Sequence, residues 1–136
     1  MRKADSTSDG STPDPDSRIE TTACDPAEGS RARRLIVERL KAWGCNRIID
    51  IALVLSELVT NAVMHAGGAV LISVSRTTDK QHVRLEVHDN VTAQPLPRNN
   101  NTGLGGLGLR IVDQLSEQWG TSPTPTGKLV WAIIRT

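Results

Sequence analysis

The sequence predicts an α/β (α+β) two-layer sandwich, with helices packed on one face of a mixed, mainly antiparallel sheet. Three observations lead there. The runs Ala69–Arg76 and His82–Asp89 alternate apolar and polar residues, and the short link TTDKQ joins them as a hairpin. Three other stretches repeat apolar residues at helical spacing. The resulting order, β-α-α-β-β-loop-α-(β)-β, segregates helices into one layer and strands into another.

The 136 residues fit one domain. Residues 1 to 17, MRKADSTSDGSTPDPDS, have almost no apolar content and are expected to form a disordered tail, leaving 18–136 as the folded domain. Arg18 to Ala23 fits a short edge strand. Asp25 is the N-cap candidate of the first helix, with Pro26 at its first position and Glu28 three residues after the cap. Ala32, Leu35, Ile36, Leu40 and Trp43 supply its apolar face, and Gly44 ends it. The second helix is expected from about Asn46 to His65. Ile48, Ile51, Ala52, Leu55, Leu58, Val59 and Ala62 form its apolar face, and Gly67 and Gly68 break it. After the hairpin, residues 90 to 105 read as a long polar loop, of a size that is usually functional in a compact domain. A third helix is expected from Gly106 to about Gln118. A turn at Pro123–Gly127 then leads to a last strand, Leu129–Arg135.

Hydrophobic residues make up 38% and charged residues 23%, as in soluble globular proteins. With no Phe or Tyr, the core must be aliphatic with help from three Trp. A net charge of +1, from 16 basic and 15 acidic residues, argues against a broad nucleic-acid surface or a polybasic membrane anchor. Cys24 and Cys45 read as reduced packing residues rather than a disulfide framework or zinc site. The N-terminus lacks the apolar segment of a signal peptide, and no apolar run reaches membrane-spanning length, so a cytoplasmic location is expected.

Three local features carry the chemistry. Glu57, Asn61 and His65 recur at one-turn spacing and form a polar stripe on the second helix. The Asn61 carboxamide oxygen is a hard donor suited to Mg²⁺, and Glu57 can polarise a hydroxyl near a terminal phosphate. The same stripe also reads as an ordinary solvent-facing surface. Asp89, followed by Asn90 at a strand end, can accept a hydrogen bond from an adenine amino group, although Asp and Asn are also favoured in plain turns. The run Gly103-Leu104-Gly105-Gly106-Leu107-Gly108-Leu109 lets backbone N–H groups approach phosphate oxygens at the start of a helix; the competing reading is a flexible linker. It matches G-x-G-x-x-G in letters only. The preceding PLPRNNNT cannot be a buried parallel strand, and no Gly-Lys-Ser/Thr follows.

In this order, SELVTNAVMHAGG, HDN and GLGGLGLRIVDQLSEQWG resemble the N, G1 and G2 boxes of the GHKL ATP-binding superfamily. The likeness extends over residues 18 to 136 and is greatest to the small anti-sigma-factor serine/threonine kinases of actinobacterial type. It implies a Bergerat-type fold that binds ATP and Mg²⁺. It also implies Asn61 as metal ligand, Glu57 as general base and Asp89 as adenine reader. Gly103, Gly105, Gly106, Leu107, Gly108 and Leu109 then form the nucleotide-binding segment, with the glycines at the phosphates, and Thr92–Thr102 forms a lid. The implied activity is phosphorylation of an anti-sigma-factor antagonist by a protein that also sequesters a sigma factor; the alternative is a non-catalytic nucleotide-binding partner switch. The implied partners are those two proteins, with a homodimer as an option and no direct contact to nucleic acid or membrane. The sequence departs from its relatives at Leu107, where an Arg is frequent, and at Leu129, which falls at the place of a Thr that helps hold adenine. No Lys or Arg lies between Arg98 and Arg110 to meet the phosphates.

Overall fold

The structure, a computed structural model, describes residues 12–66, 69–89 and 103–136. Its elements in chain order are β1 (Ile19–Ala23), α1 (Pro26–Ala42), α2 (Ile48–Ala66), β2 (Val70–Arg76), β3 (His82–Asp89), α3 (Gly103–Leu115), β4 (Gln118–Thr124) and β5 (Gly127–Arg135). The strands form one five-stranded sheet in the order β1-β2-β3-β5-β4.

The expected α+β sandwich is present, but the sheet is not mixed: every neighbouring pair is antiparallel. Connectivity explains this. Two helices separate β1 from β2, so the chain returns in the opposite sense. A single helix separates β3 from β4, which makes those two strands parallel, but β5 hairpins back and inserts between them.

Each element follows from its local sequence. Asp25 caps α1 by accepting from the Glu28 N–H at 2.8 Å, and the Glu28 carboxylate accepts from the Cys24 N–H at 2.7 Å. The first satisfies a donor that the opening turn would otherwise leave open, and the second ties the residue before the cap to that turn. At the other end Gly44 has φ +74°. The Cys45 N–H reaches the Leu40 carbonyl and the Gly44 N–H reaches the Lys41 carbonyl, which is a Schellman closure. β4 is the one element only bracketed in the expected order. Its sequence QWGTSPT shows little alternation, and Pro123 is tolerated because β4 is an edge strand.

Alternation along the strands separates the two faces of the sheet. Val70, Ile72, Val74, Val83, Leu85, Val87, Ala132 and Ile134 point to the helices and are essentially buried. They meet Ile36 and Leu40 of α1, Ile51, Val54, Leu55 and Leu58 of α2, and Val112 of α3 in one aliphatic core. The other face is uncovered by helices. Ser73, Arg84, Glu86, Trp131 and Arg18 meet there. Glu86 accepts from Arg84 Nε at 2.6 Å and from Arg18 Nη1 at 3.2 Å, and the Arg84 guanidinium lies 4.8 Å from the Trp131 ring centre. Burial alone would raise the Glu86 carboxyl; Arg84 first and then Arg18 override it and hold it below the usual carboxylate range.

Ordered structure begins before the expected boundary at residue 18. Pro15–Ser17 form a 3-10 turn capped by Asp14, and the Asp14 N–H bonds to the Arg76 carbonyl at 2.8 Å. Pro13 pairs with Thr77, and Thr12 accepts from the Thr78 N–H. Backbone pairing to the β2–β3 turn anchors this polar stretch without apolar burial. The C-terminal Thr136 N–H bonds to the Gln81 carbonyl at the same end of the sheet. Of the cysteines, Cys45 packs against the core as expected, and burial raises its thiol while Arg76 partly offsets the effect. Cys24 is instead exposed.

Candidate nucleotide-binding cleft

A cleft of about 390 Å³ opens between the C-terminal half of α2, the middle of α3 and the facing ends of β3, β4 and β5. It exists because α2 must end where β2 begins. Ala66 of α2 is followed closely by Val70, and Val70 pairs with Asp89, so the last turns of the helix lie beside the end of β3. Leu58, Ala62, Val87, Leu109, Trp119 and Val130 give the cleft apolar walls. The Trp119 indole N–H donates to Asp113 Oδ1 at 2.9 Å, which fixes the ring between β4 and α3. The polar groups lining the cleft are Asn61, Asp89, Thr121 and Lys128. An apolar slot with a few polar groups, in a volume of this size, suits a flat heteroaromatic ligand.

Asp89 is only 6% exposed, at the last position of β3. Gly127 packs so tightly on it that a Cβ there would run into the Asp89 carbonyl oxygen and would lie 2.9 Å from its Oδ1. The glycine therefore lets the beginning of β5 close against the end of β3.

The sequence-predicted residues divide as follows. Asn61 and Asp89, 28 positions apart in the chain, line one cleft, and Leu109 lines it too. Glu57 lies one turn before Asn61 on α2 and is half-buried, but it is not among the cleft-lining residues. The glycine run is itself helical. α3 starts at Gly103 rather than Gly106 and stops at Leu115 rather than near Gln118. Gly103, Gly105 and Gly106 thus occupy the first turn, whose N–H groups have no partner one turn back, whereas Gly108 lies beyond it. The Leu107 side chain and the expected lid, Thr92–Thr102, lie outside the described residues. At the helix end, the Glu117 N–H goes to the Ile133 carbonyl and starts sheet pairing instead.

Leu129 does not occupy a cleft position. It pairs with His88, whose side chain points to the uncovered face of the sheet, so Leu129 removes no group from the cleft. Its neighbour Lys128 pairs with Asp89, and both line the cleft; Thr121 adds a hydroxyl from β4. The sequence reading missed Lys128, Thr121 and Trp119. Strand parity relative to Asp89 would have found Lys128 once the β3–β5 register was known.

Among the described residues, no group of three or more His, Cys, Asp or Glu comes together to hold a metal ion. A single carboxamide in the cleft, Asn61, fits Mg²⁺ in the way Mg²⁺ is usually held beside a nucleotide, through one or two protein oxygens with phosphate and water completing the shell.

The model of the histidine kinase-like ATPase domain family matches residues 22–134. This chain belongs to that family. ATP binding comes with membership, and the antiparallel sheet with three helices agrees with its fold. No curated protein matches the chain. Among the described residues, no helix is long and apolar enough to cross a membrane.

Proposed function

We propose that this ATP-binding domain is an anti-sigma factor with serine/threonine kinase activity toward an anti-sigma-factor antagonist. The observation that carries the nucleotide part is the meeting of Asn61 and Asp89 in one cleft, a carboxamide from α2 and a carboxylate from β3. Asp89 accepts from the adenine amino group. Asn61 would hold Mg²⁺, which when bound would neutralise phosphate charge. The first turn of α3 directs the N–H groups of Gly103, Gly105 and Gly106 at the phosphates. Glu57 takes the proton from the antagonist's serine hydroxyl as its oxygen bonds to the γ-phosphorus and the bond from that phosphorus to the β–γ bridging oxygen breaks, releasing ADP. The chain contributes mainly position and charge neutralisation. The protein or regulatory assignment rests on the resemblance of SELVTNAVMHAGG, HDN and GLGGLGLRIVDQLSEQWG. On this reading the chain works in the cytoplasm with a sigma factor and an antagonist as partners, a homodimer as an option, and no direct binding to nucleic acid or membrane.

Glu57 lies outside the cleft lining, and this favours a second reading, a non-catalytic nucleotide-binding partner switch. Labelled ATP incubated with the protein and a candidate antagonist separates the two. Phosphoryl transfer that is lost in Glu57→Ala supports the kinase. Mg-ATP binding that survives Glu57→Ala, with no transfer by the unaltered chain, supports the switch. In either case Asn61→Ala is expected to weaken Mg-ATP binding by roughly tenfold or more, as loss of a bond to a charged group implies.

A further inference from the structure

We propose that Lys128 reads the nucleotide base, donating to a ring nitrogen of adenine beside the amino group that Asp89 accepts from. The proposal rests on the nucleotide occupying this cleft with its base at Asp89.

Three observations carry it. Lys128 is the residue directly opposite Asp89 in the β3–β5 ladder, so both side chains leave the sheet on the same side. Directly opposed side chains start about 5 Å apart, which is within reach of one small ring edge. Both residues line the cleft, and Lys128 is the only cation among the described residues that do. The other lining residues are the apolar Leu58, Ala62, Val87, Leu109, Trp119 and Val130, which suit an aromatic base, with Asn61 and Thr121 as the remaining polar groups.

The chemistry of the pair is complementary to adenine. An ammonium only donates and a carboxylate only accepts. The Watson–Crick edge of adenine sets a donor, the N6 amino group, beside an acceptor, N1. Asp89 matches the first and Lys128 the second. Guanine in the same orientation would set its O6 against the Asp89 carboxylate and its N1–H against the ammonium, mismatched at both positions. The lysine thus supplies a polar group from β5, whereas the side chain of its neighbour Leu129 turns away from the cleft.

The test compares ATP with 1-deaza-ATP, in which a C–H replaces N1, by titration in the presence of Mg²⁺. The unaltered chain is expected to bind ATP about 10- to 100-fold more tightly than the deaza analogue, as loss of a hydrogen bond from a charged donor implies. In Lys128→Met that preference should collapse to near unity, because ATP affinity falls to the level of the analogue. An unaltered chain that binds ATP and the analogue equally overturns the proposal, even if the variant folds poorly. So does a Lys128→Met variant that keeps the preference, or whose loss of affinity is large for ATP and absent for adenosine, since the lysine would then be serving the phosphates. Equal affinity for GTP and ATP overturns the adenine assignment. A chain that binds ATP with the expected preference but transfers no phosphoryl group defeats the kinase reading while leaving this one standing; a chain that binds neither nucleotide defeats both.

Discussion

The two faces of the β3–β5 strand pair each carry a carboxylate beside a cation, and they use it differently. On the uncovered face Glu86 is closed off: two guanidinium groups and the Ser73 hydroxyl take its oxygens, and Arg84 is in turn stacked on Trp131. On the helix-covered face Asp89 stands across from Lys128 at the edge of a cleft of about 390 Å³. The first arrangement spends its electrostatics on holding strands together. The second is backed by close backbone packing at Gly127 and lines a cavity rather than a closed cluster. A carboxylate–cation pair is thus informative about function only when the space around it is known.

Substitutions on the two faces should separate these roles. The largest effect is expected at Gly127→Ala. The added methyl meets the Asp89 backbone, which cannot rotate away, so β5 must shift. A loss of about 3 kcal/mol and a fall in Tm of roughly 10 °C are expected, with ATP affinity falling as well. Retention of both would mean that the two strand ends are not rigidly apposed. Next comes Glu86→Gln, which leaves Arg84 without its counter-charge and Arg18 with Glu20 alone. A loss of about 1–2 kcal/mol is expected with ATP affinity unchanged. Impaired nucleotide binding would show that the faces are coupled.

The same carboxylate sets a pH signature. Its folded value lies below the ordinary one, so its stabilisation is present above an unfolded value of about 4.3 and is lost as pH falls through the folded value. The difference in stability between the unaltered chain and Glu86→Gln should therefore be constant near neutrality and shrink below about pH 4, as followed by denaturant melts. The smallest effect is expected at Gly120→Ala. Its methyl would lie 2.9 Å from the Trp131 ring, a side chain that can yield where backbone cannot. A loss of about 1 kcal/mol or less, visible in Trp fluorescence before it is visible in Tm, is expected.

Much of this arrangement was legible from residue order. The α1 caps, the β2–β3 hairpin and the stripe that brings Asn61 toward Asp89 all depend on neighbours within a few positions, and local spacing reports such features well. What escaped depends on pairing between distant segments. Nothing in QWGTSPT announces a strand, because an edge position relaxes the demand for alternation and admits Pro123. The faces taken by Leu129 and Lys128 differ by a single step of register, and a one-residue shift exchanges every side chain between layers. The family resemblance thus drew attention to Leu129, while the neighbouring Lys128 lines the cleft. The third helix was expected to begin inside the glycine run, at Gly106, and it begins one turn earlier, at Gly103, because backbone N–H groups at a helix start need no partner and local spacing leaves that boundary loose. The stretch 12–17 looked too polar to order, and it is held by backbone bonds that composition does not reveal.

Those bonds also fix where the molecule can be handled. Thr12 and Thr136 both attach at the Thr77–Gln81 turn, the pole at which β3 begins. Asp89 lies seven residues further along that strand, about 24 Å away at the rise of an antiparallel strand. A surface anchor or a fused reporter joined through Thr136 would therefore leave the mouth of the cleft facing open solution, so immobilised binding assays and solution assays should return the same affinity.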